Sequence, residues 1–284
     1  MKKLVNLRQL SLYGSPYIVN ADLDSVPFTL SYLVLSGERE SDIDPDLPLL
    51  AILQAHPTLE ELALDFSGLP RDLVSALKAE QEGAISEHDI LCPNLKRFDG
   101  CDEGLRLFLP MRRIENVTSL GCGAEYINNV GEHLSLWLNP ILKTSYQQIR
   151  TLEAWPEEDD FSWFFNPAIT PYLTFLTHLL IFDSERGLAH HNYDLLIALE
   201  QFKALQSITL ISAGATGIAM KDVQDAVRHV RGALPDLEEI FVGLGEDQED
   251  MVYYRYAKGE GIKPDPVGRE LACKPYTRWL RQDL

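Results

Sequence analysis

The chain has 284 residues, of which 45% are hydrophobic, so it is long enough to bury the core of one large domain or two small ones. Its 43 acidic and 25 basic residues give a formal net charge of −18, which disfavours nucleic-acid phosphates and anionic membrane surfaces as partners. Because it has four cysteines without a C-x-x-C pair, no signal-peptide pattern at its start and no apolar run long enough to span a bilayer, the sequence predicts a cytoplasmic or nuclear protein.

A short leucine phrase begins near the start of the chain and recurs along it. Its most complete copy is TLEELALDFSGL, in which Leu59, Leu62 and Leu64 have the spacing L-x-x-L-x-L. Copies follow one another about every 29 residues, a period typical of leucine-rich repeats, in which each unit contributes one short strand. The first residues of the nine copies are Leu7, Leu30, Leu59, Leu95, Val117, Ile149, Leu176, Leu205 and Leu237.

The segments between the copies have helical spacing of their apolar residues, which predicts that strands and helices alternate and that the strands are parallel. An ordinary doubly wound α/β domain is the alternative, although it would not repeat one spacing so often. The predicted helical faces are Leu49, Leu50 and Leu53; Leu73, Val74 and Leu77; Val130, Leu134, Leu138 and Ile141; Leu195, Leu196, Leu199 and Phe202; and Val223, Ala226, Val227 and Val230.

Two segments interrupt the recurrence. PEEDDFSWFFNPAITPY, at 156–172, joins four acids to several aromatic residues, and the segment from 246 to the end has no copy of the phrase. The end of a repeat array needs a cover, so we interpret residues 244–284 as a C-terminal cap and residues 1–243 as about nine irregular repeats of one solenoid.

Phrases such as LVNLRQLSL, HPTLEELALDFSG, LCPNLKRFDGC and LPDLEEIFVG resemble leucine-rich repeats over residues 4–243. They are most similar to the irregular repeats of fungal F-box proteins, especially in the CPNLKR phrase at 92–97. The resemblance implies an α/β leucine-rich-repeat solenoid, or horseshoe, with parallel strands on the concave face and helices on the convex face. In that family an F-box binds the Skp1 adaptor of a cullin ubiquitin ligase and the repeats hold the substrate; here no F-box pattern precedes the repeats.

A partner site is predicted from the alternation of side chains along each strand. If the recurring apolar positions point into the core, their neighbours point towards the concave face. In the second half of the chain these neighbours include large apolar residues, and exposed apolar surface usually marks an interaction site. We therefore expect a protein partner on this face, unless the segment after 155 or the C-terminal tail covers it. The predicted contact residues are Trp155, Leu180, Phe182, Ile211, Phe241, His178 and Glu153.

Catalytic and metal-binding patterns are weak in this sequence. The acidic run at 157–160 resembles a solvated loop more than a carboxylate pair, and His190 and His191 have no Cys or further His at zinc spacing. The predicted function is therefore non-enzymatic, without cofactor or metal: substrate recognition for an SCF-type ubiquitin ligase. A free-standing interaction scaffold or inhibitor is the alternative, and a hydrolase that uses the acidic run is a third.

Overall fold

A computed structural model describes residues 7–13, 29–36, 48–66, 68–83, 86, 89–120, 138–155, 167–183, 199–213, 220–245, 252–259 and 263–264. The chain divides into two compact units, Met1–Ile149 and Arg150–Leu284. Within the described residues, no helix is both long and apolar enough to cross a membrane.

The first unit contains parallel strands that pair in chain order, with helices between them. The strands are β1 (Gln9–Tyr13), β2 (Tyr32–Ser36), β3 (Glu61–Asp65), β4 (Arg97–Gly100) and β5 (Asn116–Leu120). The helices are α1 (Leu49–Ala55), α2 (Arg71–Gln81), α3 (Asp102–Phe108) and α4 (Pro140–Tyr146).

The second unit begins with four parallel strands that also pair in chain order and then ends in antiparallel strands. The parallel strands are β6 (Thr151–Trp155), β7 (His178–Asp183), β8 (Ser207–Ala213) and β9 (Glu239–Gly245). The antiparallel strands are β10 (Val252–Ala257) and β11 (Lys263–Pro264), and the helical segments are a 3-10 turn (Thr170–Tyr172) and α5 (Met220–Ala233). Strand β10 therefore covers the edge of β9 within the segment predicted to be a cap.

The α/β class and the parallel pairing are confirmed, and so is the predicted register of six strand pairs. Leu33 pairs with Leu62 and Leu62 with Phe98 in the first unit, all of them at most 1% exposed. Leu179 and Ile208 occupy the equivalent positions in the second unit and are buried as well. The second residue of the leucine phrase thus forms a row of buried side chains in each unit, except at Leu10 of the first strand, which is half-buried.

The fifth repeat is an exception, because the predicted register was wrong by three residues. Val117 pairs with Phe98, where the prediction placed Leu120. Ile114 occupies the first position of the phrase instead and is 1% exposed. The spacings I-x-x-V and V-x-x-L both fit the pattern here, so the phrase alone could not distinguish them.

A backbone hydrogen-bond pattern recurs at the start of the repeats. In six repeats the N–H of the first residue donates to the carbonyl oxygen of the residue three positions earlier, at 3.1–3.3 Å. That earlier residue is buried each time, although its type varies widely. The residues are His56, Cys92, Tyr146, Leu173, Phe202 and Leu234. The unit that repeats is therefore a buried side chain, a turn and a strand.

The helices pack on the face of the strands that carries the recurring apolar residues. In the first unit the ring of Phe108, from α3, stacks on Phe98 of β4 with centroids 4.9 Å apart. Gly100 and Gly104 permit this contact, since a Cβ atom on either would lie 2.9 Å from the Phe98 ring. In the second unit Arg231, from α5, lies over the ring of Tyr256, which pairs with Ile240. We call this the helix side and the opposite surface the far face.

The predicted apolar face is buried in helix α5 but only partly in helix α4. Helix α5 buries Val227 and Val230 as expected. Helix α4 begins only at Pro140, where the Asn139 side chain accepts a hydrogen bond from the backbone N–H of Leu142, and Ile141 is 45% exposed rather than buried. The apolar face of this helix is formed by Leu142 and Tyr146, both fully buried. Val130, Leu134, Leu195 and Leu196 lie outside the described residues.

Candidate partner-binding surface

The far face of the second unit brings together several of the predicted contact residues. Glu153, Leu180, Thr209 and Phe241 lie opposite one another on consecutive strands. The register was predicted correctly here because all four strands share the same phrase. These four residues form one row, which we call the middle row.

The predicted exposure of this row was wrong. Leu180 and Phe241 are 5% and 6% exposed, and Ile211, on the next row of the same face, is 3% exposed. Neighbouring strands lie only about 4.8 Å apart, so large side chains in register shield one another. Phe241 is also covered by Arg255 of β10, whose guanidinium carbon lies 5.8 Å from the ring centroid. Glu153, which the prediction placed beside the apolar patch, is 2% exposed.

A second row on the same face is accessible and polar. On each strand it lies two residues before the middle row, and its residues are Thr151, His178, Ser207 and Glu239. His178 is exposed, and its Nδ1 atom lies 2.9 Å from the Oγ1 atom of Thr177. Glu239 forms an ion pair with Arg255. We call these residues the polar row; hydroxyl, imidazole and carboxylate groups along it can exchange hydrogen bonds with a ligand.

Trp155 ends strand β6, and Phe182 of β7 pairs with Ile211 as predicted, but the side chains of Trp155 and Phe182 lie outside the described part of the structure. Both therefore stay predictions. The same holds for the acidic run at 157–160 and for His190 and His191, none of which lies within the described residues.

The far face of the first unit carries a charged cluster that the sequence prediction did not select. The Nε atom of Arg97 lies 3.2 Å from both carboxylate oxygens of Asp99, and its Nη2 atom lies 3.4 Å from the Oγ1 atom of Thr118. Asp99 and Thr118 are 5% and 6% exposed. Burial raises the pKa of the Asp99 carboxyl despite the opposing effect of the Arg97 charge. The sequence did not indicate this cluster because the predicted register of the fifth repeat, which was wrong by three residues, paired Asp99 with a glycine instead of with Thr118.

Cys92, one of the two described cysteines, is poorly suited to act as a nucleophile. Cys92 is buried at the turn before β4, and desolvation raises the pKa of its thiol to about 12. A thiol with so high a pKa is almost entirely protonated near neutral pH and is a poor nucleophile. Within the described residues there is no group of three or more His, Cys, Asp or Glu side chains arranged to hold a metal ion.

Comparison with known proteins does not assign the chain to a family: no protein-family model matches it, and no curated protein does either.

Proposed function

We propose that the chain is a leucine-rich-repeat solenoid that binds a protein partner through the far face of its strands, and that it acts by recruitment rather than catalysis. The observation that carries this proposal is the recurring turn before the strands, in which a buried residue accepts the hydrogen bond of the first repeat residue in six repeats. Repeats of this kind build an extended surface from equivalent positions on successive strands. In a horseshoe, the far face would be the concave face.

The polar row is the part of this surface that we propose contacts the partner directly, with His178 as its most accessible side chain. The middle row has a supporting role: Leu180 and Phe241 are buried and hold the strand surface in place. Ile211 and Glu153 belong to that support. Trp155 and Phe182 remain proposed contacts at the next positions along their strands.

The finer proposal is that the partner is the substrate of an SCF-type ubiquitin ligase, reached through Skp1 and a cullin. Its support is the resemblance of phrases such as LCPNLKRFDGC to fungal F-box proteins. A free-standing scaffold or inhibitor is the second candidate, since the same repeat surface would serve it equally well. The net charge of −18 favours a partner with a basic surface and disfavours nucleic acid or an anionic membrane.

The test is affinity purification from cells followed by mass spectrometry, with His178→Glu and a matched control, Gln201→Glu. Both residues are exposed, so both changes add one negative charge without burying it, but Gln201 lies outside the strands. We expect one protein to be lost with His178→Glu and kept with the control. Retention of every partner by His178→Glu would refute the proposed surface.

The same experiment separates the two finer functions. Skp1 and a cullin that co-purify with the unaltered chain and with both variants would support the ligase proposal, because in F-box proteins the adaptor binds the F-box and the repeats hold the substrate. A partner that is lost with His178→Glu, in the absence of any ligase subunit, would instead favour the scaffold.

A further inference from the structure

A cleft of about 500 Å³ opens on the helix side of the second unit, between α5 and β10. It lies on the opposite side of the strands from the proposed partner surface. Its lining combines the polar ends of two arginines and a glutamine with apolar surface. The lining residues are Gln224, Val227, Arg228, Arg231, Gly232, Pro235 and Tyr256.

The positive charge of this cleft comes from two arginines, each of which contacts a neighbouring side chain. The guanidinium carbon of Arg231 lies 4.7 Å from the centroid of the Tyr256 ring, close enough for a cation–π contact. Arg228, one turn earlier on the same helix, forms an ion pair with Asp225. Among the described residues, no carboxylate forms an ion pair with Arg231. The contact with the ring holds the guanidinium near Tyr256 through its face, and its N–H donors can still bind another group.

Tyr256 supplies a second, independent sign of a binding site. It is 6% exposed, and its buried hydroxyl has no hydrogen-bond partner among the described residues. A buried polar group without a partner is costly, and most such groups in proteins are satisfied. Tyr256 lines the cleft, so a polar ligand seated there would lie against the side chain that carries this unpaired hydroxyl.

We propose that this cleft, which is locally positive although the chain as a whole carries a net charge of −18, binds a single carboxylate side chain of a protein partner, and that Arg231 is the main recognition residue. Asp225 neutralises Arg228, so the cleft has an excess of about one positive charge, which matches one carboxylate better than a doubly charged phosphate. Val227, Pro235 and the Tyr256 ring offer apolar surface to the side chain that carries the carboxylate. The inference does not depend on the far-face proposal, since His178→Glu would leave this cleft unchanged.

The first experiment is a titration of the full chain, followed through the Arg231 side-chain N–H signal in NMR. The probe is an acetylated and amidated seven-residue peptide with one central glutamate, and the matched probe has glutamine in its place. We expect saturable binding of the glutamate peptide, at least about tenfold weaker binding of the glutamine peptide, and loss of affinity as salt rises. Equal binding of the two peptides, or tighter binding of inorganic phosphate than of the glutamate peptide, would overturn the proposal.

The second experiment avoids disturbing the arginine stack. Gly232 lines the cleft in helix α5, and a Cβ atom built there meets nothing within 4 Å, so a substitution begins in open space. Gly232→Glu places a carboxylate in the cleft and lowers its positive charge, whereas Gly232→Gln adds a neutral side chain of about the same size. We expect the glutamate variant to bind the peptide at least about tenfold more weakly and the glutamine variant to bind it within about threefold of the unaltered chain. Equal weakening in both variants would show that bulk, not charge, matters, and would refute the proposed recognition.

Discussion

The buried ion pair between Glu80 and Arg112 provides the sharpest test of the packing in the first unit. The Oε2 atom of Glu80 accepts a hydrogen bond of 2.7 Å from Nη2 of Arg112, and the two side chains are 1% and 0% exposed. The other carboxylate oxygen of Glu80 accepts a hydrogen bond of 2.7 Å from the backbone N–H of Leu91. Arg112 also donates to the backbone oxygens of Leu91, Phe108 and Pro110. The pair thus fixes the segment before β4 and the end of α3 to helix α2.

Glu80→Gln should lower the free energy of unfolding by about 3–5 kcal/mol, the usual cost of removing one partner from a buried pair. Glutamine has only one acceptor oxygen: if that oxygen accepts from the Leu91 N–H, a second donor faces Arg112, and if it faces Arg112, an amino group faces the Leu91 N–H. In both orientations the guanidinium charge is left buried without a counter-charge. Solvent does not screen this charge, because both side chains are inaccessible.

The measurement is urea unfolding of Glu80→Gln, of the single variants Glu80→Leu and Arg112→Met, and of the double variant that combines the last two. Replacing both members by apolar residues removes the unpaired charge but leaves the Leu91 N–H and three backbone oxygens without their side-chain partners, so the double variant should recover only part of the lost stability. Amide hydrogen exchange at Leu91 would localise the effect to this segment. A loss below about 1 kcal/mol for Glu80→Gln, or a double variant less stable than it, would refute the reasoning.

Three further predictions concern individual repeat positions. Leu62→Asp puts a charge into the core and should cost about 3 kcal/mol or more, whereas Glu60→Lys, at a half-exposed ion pair, should cost less than about 1 kcal/mol; similar melting temperatures would contradict the register. Ile114→Ala should cost about 2–4 kcal/mol and Glu115→Ala little, because the corrected fifth repeat buries the first and exposes the second; the reverse order in urea unfolding would favour the original register. The Asp99 carboxyl has a raised pKa in the folded chain, so the folded state binds this proton more tightly than the unfolded state does. Protonation of Asp99 therefore stabilises the fold at acid pH, and this stabilisation is lost as pH rises through the folded pKa. The unfolding free energy of the unaltered chain minus that of Asp99→Asn should therefore increase as pH falls from neutral towards the ordinary carboxyl range, and a difference that shrinks would contradict the burial of this group.

Strand position and register could largely be predicted from the sequence, because a leucine phrase constrains both the alternation of faces and the pairing of neighbours. Leu62 and Leu64 had to face one side together, and the same phrase in the next repeat had to lie beside them. The prediction failed at the fifth repeat, where two overlapping phrases compete and the burial of Ile114 decides between them. It also missed helix α3, which is only seven residues long and starts two residues after the strand ends.

The candidate site was less predictable, for a different physical reason. Alternation specifies which face a side chain lies on, but not what covers that face. Leu180 and Phe241 were assigned to the correct face and the correct row, yet they are buried by neighbours in register and, for Phe241, by Arg255 from the antiparallel strand. The cleft beside α5 could not be found from the sequence, since it depends on β10 returning antiparallel to β9 and placing Tyr256 under Arg231.

The spacing between repeats varies because only the turn and the strand of each repeat are structurally constrained. A buried residue three positions before the first apolar residue of the phrase accepts its backbone hydrogen bond, and His56, Cys92 and Tyr146 all serve. Because the bond uses only the backbone, the position selects for volume and burial rather than for one residue type. His56 adds a side-chain contact, since its Nδ1 atom accepts from the N–H of Leu30 in the preceding repeat. The constrained unit therefore spans only the turn and the strand. The remainder of each repeat is free to vary in length, and the helices do so, from 7 residues in α1 to 14 in α5, without disturbing the strand register on either side.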